Sequence, residues 1–438
     1  MPRFAFCCFA MLALSLPVQA NAKDAVYDLK QAVSRSLDAN PAMEAQQLAV
    51  DRAKMDVGVA QSYFWPTASW QVNRNRLHNS GDVGTTEDYS NKSYHNGLRV
   101  ALSLFSGFAH LNNLEKSMLS VDVEEARRGQ ARLDLIGNVQ LQFLQLLKAR
   151  EDMKTVRDSK RRITTQLKAA QAFVKVGMAP YLNVLQNEVE LSKVRQQEIR
   201  TANAIRNAEV MLNRYLGYTE QDSVTYTGNL KDFNGMVEYS EEEAIKTSLR
   251  FRPNLILAQK SVAVAVKQSH VTAGRFLPQV SASYDSVRYS KYYTDPHYLA
   301  RDYTREYWNI GLNFSWELFA GGGTAFALLG DRKALASLRK SYEDAMASAR
   351  ADVIRSLLDI QAAKELIATS HKGVEAATES YAIASKRYMT SIGTVVELLD
   401  AQARLTEAEA GHSQALTEYQ SARARFFYNI GKENLGLD

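Results

Sequence analysis

Cysteine is almost missing from this 438-residue chain; Cys7 and Cys8 are the only two. Both fall in an N-terminal stretch where Arg3 precedes an apolar run from Phe4 to Val18, followed by Ala20-Asn21-Ala22. That layout predicts a secretory leader, residues 1–22, cleaved at the small residues. The mature chain then has no thiol, which excludes disulfides, cysteine nucleophiles and thiolate metal ligands. The cysteines precede most of the apolar run rather than end it, which argues against a lipid-anchored cysteine. Beyond the leader no apolar run reaches the ~18 residues that a membrane-spanning helix needs. A secreted chain without such a helix can still cross a membrane as a closed strand barrel. Net charge is small, +5 on 53 basic and 48 acidic residues. No basic patch with interleaved aromatics appears, so nothing points to nucleic acid. His78, His95, His110, His270, His297, His371 and His412 show no metal-ligand spacing. Gly321-Gly322-Gly323 lacks the Lys-Ser/Thr of a phosphate loop, and no motif sets out a catalytic triad. No enzyme chemistry, metal or cofactor is expected.

Proline is scarce too, only eight residues, and its few positions punctuate a sequence that runs through one plan twice. Pro41 matches Pro253, Trp65-Pro66 matches Leu277-Pro278, and Leu104-Phe105-Ser106-Gly107 matches Leu318-Phe319-Ala320-Gly321. Leu191 matches Leu405, and Gly217 matches Gly431. The offset is 212 residues at the prolines and 214 after the strands, so the second half gained two residues between its strands. The expected units are a first repeat over 23–217, a linker over 218–240, a second repeat over 241–431 and a tail over 432–438.

Within each unit, helical periodicity comes first, read over 25–62 and 242–276. Strands are expected over 66–77 and 94–106, then over 278–289 and 306–319. Leu98, Val100, Leu102 and Leu104 alternate with Gly97, Arg99, Ala101 and Ser103. Trp308, Ile310, Leu312, Phe314, Trp316 and Leu318 alternate with Asn309, Gly311, Asn313, Ser315 and Glu317. Strict alternation over about ten residues suits a barrel strand with lipid on one side and water on the other; a half-buried soluble sheet shows the same pattern. Leu77–Ser93 reads as a loop by composition, and the tyrosine-rich stretch Tyr284–Tyr307 as a surface loop. After each strand pair come about 65 residues without proline (109–176 and 325–390), roughly 100 Å of helix, and then helices over 180–215 and 394–430. One long helix beside two shorter ones stacked end to end, twice over, is the economical packing.

Four strands cannot close a barrel alone, since about eight are the minimum, and an open edge in lipid costs several kcal/mol per unpaired group. The chain must therefore share its barrel with copies of itself; strand count allows two, three or four. Gly107 and Gly321, Gly322 and Gly323 would turn the strands into the long helices.

The ordered set of Asn40-Pro41, Trp65-Pro66, the Leu-Phe-x-Gly strand ends and the helix breaks at Val174–Gly177 and Gly393-Thr394 resembles the TolC family of outer-membrane export channels. The resemblance covers nearly the whole mature chain. It implies a mainly α fold with a small transmembrane β part and long antiparallel coiled-coil-like helices forming an α-barrel. It implies a homotrimer in outer-membrane lipid that shares a 12-stranded β-barrel, and docking to a periplasmic adaptor and an inner-membrane ABC or RND pump. Its function would be a passive conduit for secretion or efflux. By the same resemblance Tyr388, Glu397 and Asp400 fall on the residues that close the periplasmic entrance, and Gly177 and Gly393 mark the adaptor-docking breaks. The family's closing arginine is missing, because Gly393 stands there. The first half has Asn183 and Gln186 at the acidic positions, so a charged ring would come from the second half alone. Ser391 replaces the turn glycine found as Gly177, with Gly393 as its substitute. Thr394 and Glu397 also fit a helix cap, and Tyr388 also fits an ordinary packed position. A secreted coiled-coil scaffold and a free-standing diffusion porin are the other functional readings.

Overall fold

The computed structural model describes residues 23–79, 89–218, 223–230, 239–293 and 302–435; the expected leader, residues 1–22, lies outside them. Helix caps explain where the chain turns. Asp28 and Gln31 form a reciprocal capping box at the start of α1 (Leu29–Ala39). Asn40 both ends α1 and caps α2 (Pro41–Ser62), accepting from the Ala42 N–H at 2.9 Å, with Pro41 in the first turn where its missing N–H costs nothing. Ser240 and Glu243 repeat the box at α5 (Glu241–Phe251), and Pro253 opens α6 (Pro253–Ala273). The long helices are α3 (Ala109–Lys175) and α7 (Gly323–Met389), 67 residues each. The distal short ones are α4 (Leu182–Tyr215) and α8 (Val395–Ile430).

The helices stand four abreast at two levels. Near the sheet the order is α2, α3, α6, α7; at the far end it is α4, α3, α8, α7. The long helices cross both levels, as the stacking of short helices anticipated. Between the levels a core of Leu29, Val33, Val139, Phe143, Leu144, Leu212, Leu216 and Tyr226 joins them. Part of that core overturns one expectation. Residues 25–27 do not begin the first helix; with Lys23 and Asp24 they form strand β1 (Lys23–Tyr27). The stretch between the repeats supplies β4 (Ser223–Tyr226), parallel to β1. Tyr226 anchors this pair, donating to the Asn213 side chain at 2.6 Å. Its burial pushes its hydroxyl pKa well above the usual value.

The strands form one antiparallel sheet in the order β2 (Thr67–Asn79), β3 (Tyr89–Ser106), β5 (Gln279–Tyr293), β6 (Tyr303–Ser315). Three strands are longer than their sequence signal. Residues 77–79 and 89–93 belong to strands, so the composition of that stretch misled; 80–88 lie outside the described residues. Tyr289, Tyr292, Tyr293, Tyr303 and Tyr307 are strand residues, not loop, because cross-strand tyrosine pairs suit a sheet; Tyr298 lies outside the described residues. In contrast, β6 stops at Ser315, and Trp316 and Leu318 lie beyond it. The sheet's last pair there is Gln279 with Ser315, and residues 316–319 have no strand beside them.

The two hairpins share one register. Trp70 faces Leu98 in the first, and Ala282 faces Leu312 in the second, the same pair after shifts of 212 and 214. Both outer strands, β2 and β6, have an open edge. The helical layer has open edges to match. Along α3 eighteen residues are buried, along the equally long α7 only five. Phe326, Leu329, Leu358, Leu366 and Ile383 stand exposed on α7, and Leu48, Met55 and Ile199 on the opposite flank.

Candidate functional site: a two-faced sheet and a paired helix break

In an antiparallel ladder, residues directly opposite each other point to the same face. One face carries Trp70, Leu98, Ser286 and Trp308 in a row; then Ala68, Val100, Tyr284 and Ile310; then Leu102, Ala282 and Leu312. Val280 and Phe314 continue it. The strand residues expected on the apolar side share one face from Leu98 to Leu102 and from Trp308 to Phe314; Leu104 falls at a bulge, where the register with β5 shifts between Ser103 and Phe105, and Trp316 and Leu318 lie beyond β6. Trp308, Ile310, Leu312 and Phe314 are each more than 60% exposed, an apolar stripe of the kind that soluble monomers rarely leave bare. The opposite face carries Ser69, Arg99, Asp285 and Asn309, then Gln71 and Gly97, then Asn73, His95, Tyr289 and Arg305. Arg99 and Asp285 form an ion pair at 2.8 Å across β3 and β5.

The strands hand over to the helices through tight turns. Gly107 and Gly321 both have left-handed backbones (φ 62° and 61°), followed by Phe108 and Gly322, also left-handed. Gly107 alone is enclosed: a Cβ there would lie 2.2 Å from the Gly274 carbonyl oxygen.

At the far end α3 and α7 break, and α4 and α8 start. Tyr388 is buried at this junction, packed edge-to-face on Phe173 (centroids 5.8 Å apart) and against Val395 and Leu398. Burial raises the pKa of its hydroxyl, with Asn183 working the other way. Tyr388 thus occupies an ordinary packed position, and that position joins three helix ends. Glu397 caps α8 by half a box: its N–H donates to Thr394 Oγ1 at 3.2 Å, while its carboxylate is turned toward Arg387, 3.9 Å away. Asp400 is paired with Arg404 one turn on, at 3.0 Å. All four charged groups are more than half exposed.

One expectation for this break needs correction. Gly393 does not replace Ser391 in the turn; Ser391 itself is left-handed (φ 60°). Gly393 is closely surrounded instead: a Cβ there would sit 3.0 Å from Arg387 Cβ and 3.3 Å from a Glu397 oxygen, so these neighbours would have to give by a few tenths of an ångström. Gly393 still stands where the family has an arginine, but Arg387 and Arg404, which sequence reasoning passed over, place one guanidinium beside each acid. The spacing i, i+4 from Asp400 to Arg404 was the available signal. Ser391→Gly should stabilise this end of α7 by roughly 0.5–1 kcal/mol, since only glycine takes a left-handed turn without strain. Hydrogen exchange of the amides around residues 386–393 would slow accordingly.

Beside the break a cleft of about 520 Å³ lies over α3 between α4 and α8, lined by Val156, Ile163, Val194, Leu399 and Gln402. A second cleft of about 490 Å³ continues it to the tip, past Leu182, Leu185 and Asp400. Among the described residues no group of three or more His, Cys, Asp or Glu could hold a metal, and no helix is long and apolar enough to cross a membrane.

Comparison with known proteins fits this architecture. The chain is 21% identical over 335 residues to the outer membrane protein TolC of Vibrio cholerae, covering 74% of this chain and 73% of that one. It is 20% identical over 384 residues to the protein CyaE of Bordetella pertussis, covering 88% and 80%. Among solved structures it superposes on the outer-membrane channel OprN with a TM-score of 0.80 (19% identity, 92% and 90% coverage). It also superposes on the open state of the MtrE outer membrane channel of Neisseria gonorrhoeae with a TM-score of 0.76 (17% identity, 93% and 89% coverage). The sequence profile of the family described as "Outer membrane efflux protein" matches residues 32–218 and again 244–431, nearly the whole of both repeats. With its two-faced sheet and paired long helices, the chain belongs to the outer membrane efflux protein family, whose members are outer-membrane channels of tripartite export systems rather than enzymes.

Proposed function

We propose that three copies of this chain close one barrel in outer-membrane lipid, so that the face of Leu98, Val100, Leu102, Trp308, Ile310, Leu312 and Phe314 meets the acyl chains. The face of Arg99, Asp285, Asn309 and Asn313 then lines a watery lumen. Gly107, Gly321, Gly322 and Gly323 turn that lumen into a helical tunnel roughly 100 Å long. The observation that carries the reading is the four-stranded sheet with one apolar face and two open edges. Neither a spacer that stays in water nor a chain that closes its own pore accounts for that combination. The bare flanks of α7 and of α2 and α4 give the tunnel wall the same need for a neighbour.

In this reading the helix breaks form the periplasmic entrance. Tyr388 holds the ends of α3, α7 and α8 together, and Glu397 and Asp400 face the constriction. Gly177 and Gly393, with the cleft over α3, receive the hairpin of a periplasmic adaptor that links the channel to an inner-membrane ABC or RND pump. Energy comes from that pump. Mass measurement in mild detergent should give three copies, and the same material should conduct steadily in planar bilayers. Monomers that still insert and conduct would overturn the proposal.

A further inference from the structure

The duplication fixes more than the number of strands. We infer that β6 of one subunit pairs with β2 of the next in one defined register, with Asn313 opposite Asn73 of the neighbouring copy. The inference rests on the trimer proposed above and adds the contact that closes it.

The template is the junction inside the chain. There β3, the second strand of the first repeat, pairs with β5, the first strand of the second repeat. Where two subunits meet, β6 and β2 form the same junction with the repeats exchanged. Because both hairpins share one register, β3 maps onto β6 by a shift of 214 and β5 onto β2 by a shift of 212. The ion-paired Arg99 and Asp285 then become Asn313 and Asn73. Leu102 opposite Ala282 becomes Trp316 opposite Trp70, and Val100 opposite Tyr284 becomes Phe314 opposite Val72. At these two pairs apolar residues meet apolar ones on the outer face, and on the inner face Gln71 meets Ser315 and Ser69 meets Glu317. Arg74 and Arg76 fall beside Leu312 and Ile310, where their stems can lie on the apolar side chains while the guanidinium groups reach the interface. A slip of one residue would turn every one of these side chains to the wrong face.

A second observation agrees. β3 continues to Ser106, beyond Ala101 where β2 leaves it, because β5 still pairs with it down to Gln279. β6 stops at Ser315, where β5 leaves it in turn. Residues 316–319 keep the apolar alternation of a strand and lack only the partner; in the inferred register Ser69 and Trp70 of the neighbour supply it.

Paired cysteines in the full chain test the register. Directly opposed Cβ atoms lie about 4.5–5.5 Å apart, whereas diagonal ones lie about 7–8 Å apart, out of disulfide reach. Asn73→Cys with Asn313→Cys should give covalent dimers and trimers on oxidation, at a yield about tenfold above the slipped pairs Gln71→Cys with Asn313→Cys and Asn75→Cys with Asn313→Cys. Single variants should give none. Ser69→Cys with Glu317→Cys is the second in-register pair, used if the first fails to assemble. Higher yield from a slipped pair overturns the register. So does absence of cross-links from both in-register pairs in material whose mass shows three copies. If the mass shows one copy, the trimer falls along with the register.

Discussion

Gly107→Ala is expected to remove the assembled channel, while Gly321→Ala leaves it nearly intact, although both glycines sit at equivalent turns with the same left-handed backbone. The shared part of the cost is the strain of a left-handed alanine, about 1–2 kcal/mol per chain. What differs is the surroundings. A Cβ on Gly107 would stand 2.2 Å from the Gly274 carbonyl oxygen and 2.9 Å from Leu277 Cβ, and a Cβ on Gly321 would meet nothing within 4 Å. The obstacle at Gly107 is backbone, which cannot rotate away, so α3 or the residues after α6 must shift. Displacement of that kind adds about 1–3 kcal/mol. It would also tilt β3 against β5 at the root of the sheet, where the two repeats are joined. In heated and unheated gel lanes the Gly107 variant should show little oligomer and the Gly321 variant close to the normal amount. Equal loss in both would mean that the enclosed turn has no special part in assembly.

The fold was legible because the duplication, the scarce prolines and the period of the apolar residues all pointed one way. Asn40-Pro41 and Arg252-Pro253 stop and restart helices where the sequence says they should. Alternation at Leu98–Leu102 and Trp308–Phe314 put every one of those side chains on one face. What escaped was set by pairing across long distances. β1 is a strand only because Ser223–Tyr226 lies beside it, and its few residues continue a helical pattern when read alone. Trp316 and Leu318 have strand chemistry but no strand beside them within one chain. At the helix break proposed as the entrance, motif order singled out Tyr388, Glu397 and Asp400. Of their partners, Arg404 was within reach of the i, i+4 spacing from Asp400, but Arg387 was not, because it reaches Glu397 across a helix break whose geometry depends on the unusual backbone of Ser391. Asn183, Phe173 and Tyr388 meet only when α3, α4 and α7 are already packed.

Those partners change what the entrance should do to ions. An unpaired ring of Glu397 and Asp400 would hold cations strongly; here each acid has an arginine nearby, and the four formal charges of one chain cancel. Asp400→Ala should therefore do more than remove an anion. It leaves Arg404 uncompensated, and three such arginines around one opening should weaken block of single-channel current by trivalent cations by at least about tenfold. Arg404→Ala should act in the opposite sense and tighten the block, because Asp400 loses its partner at 3.0 Å. The magnitude follows from charge: removing one charge in each of three copies, near a trivalent ion and in contact with water, is worth about 1.4 kcal/mol or more in total, enough for that factor. Raised salt should shrink both effects, since all these groups are exposed and screened. Opposite shifts from the two variants would place the Asp400–Arg404 pair at the narrowest point of the conduit. Unchanged block in both would remove the pair from the entrance and leave closure at this end to Tyr388 and its packing together with Glu397 and Arg387.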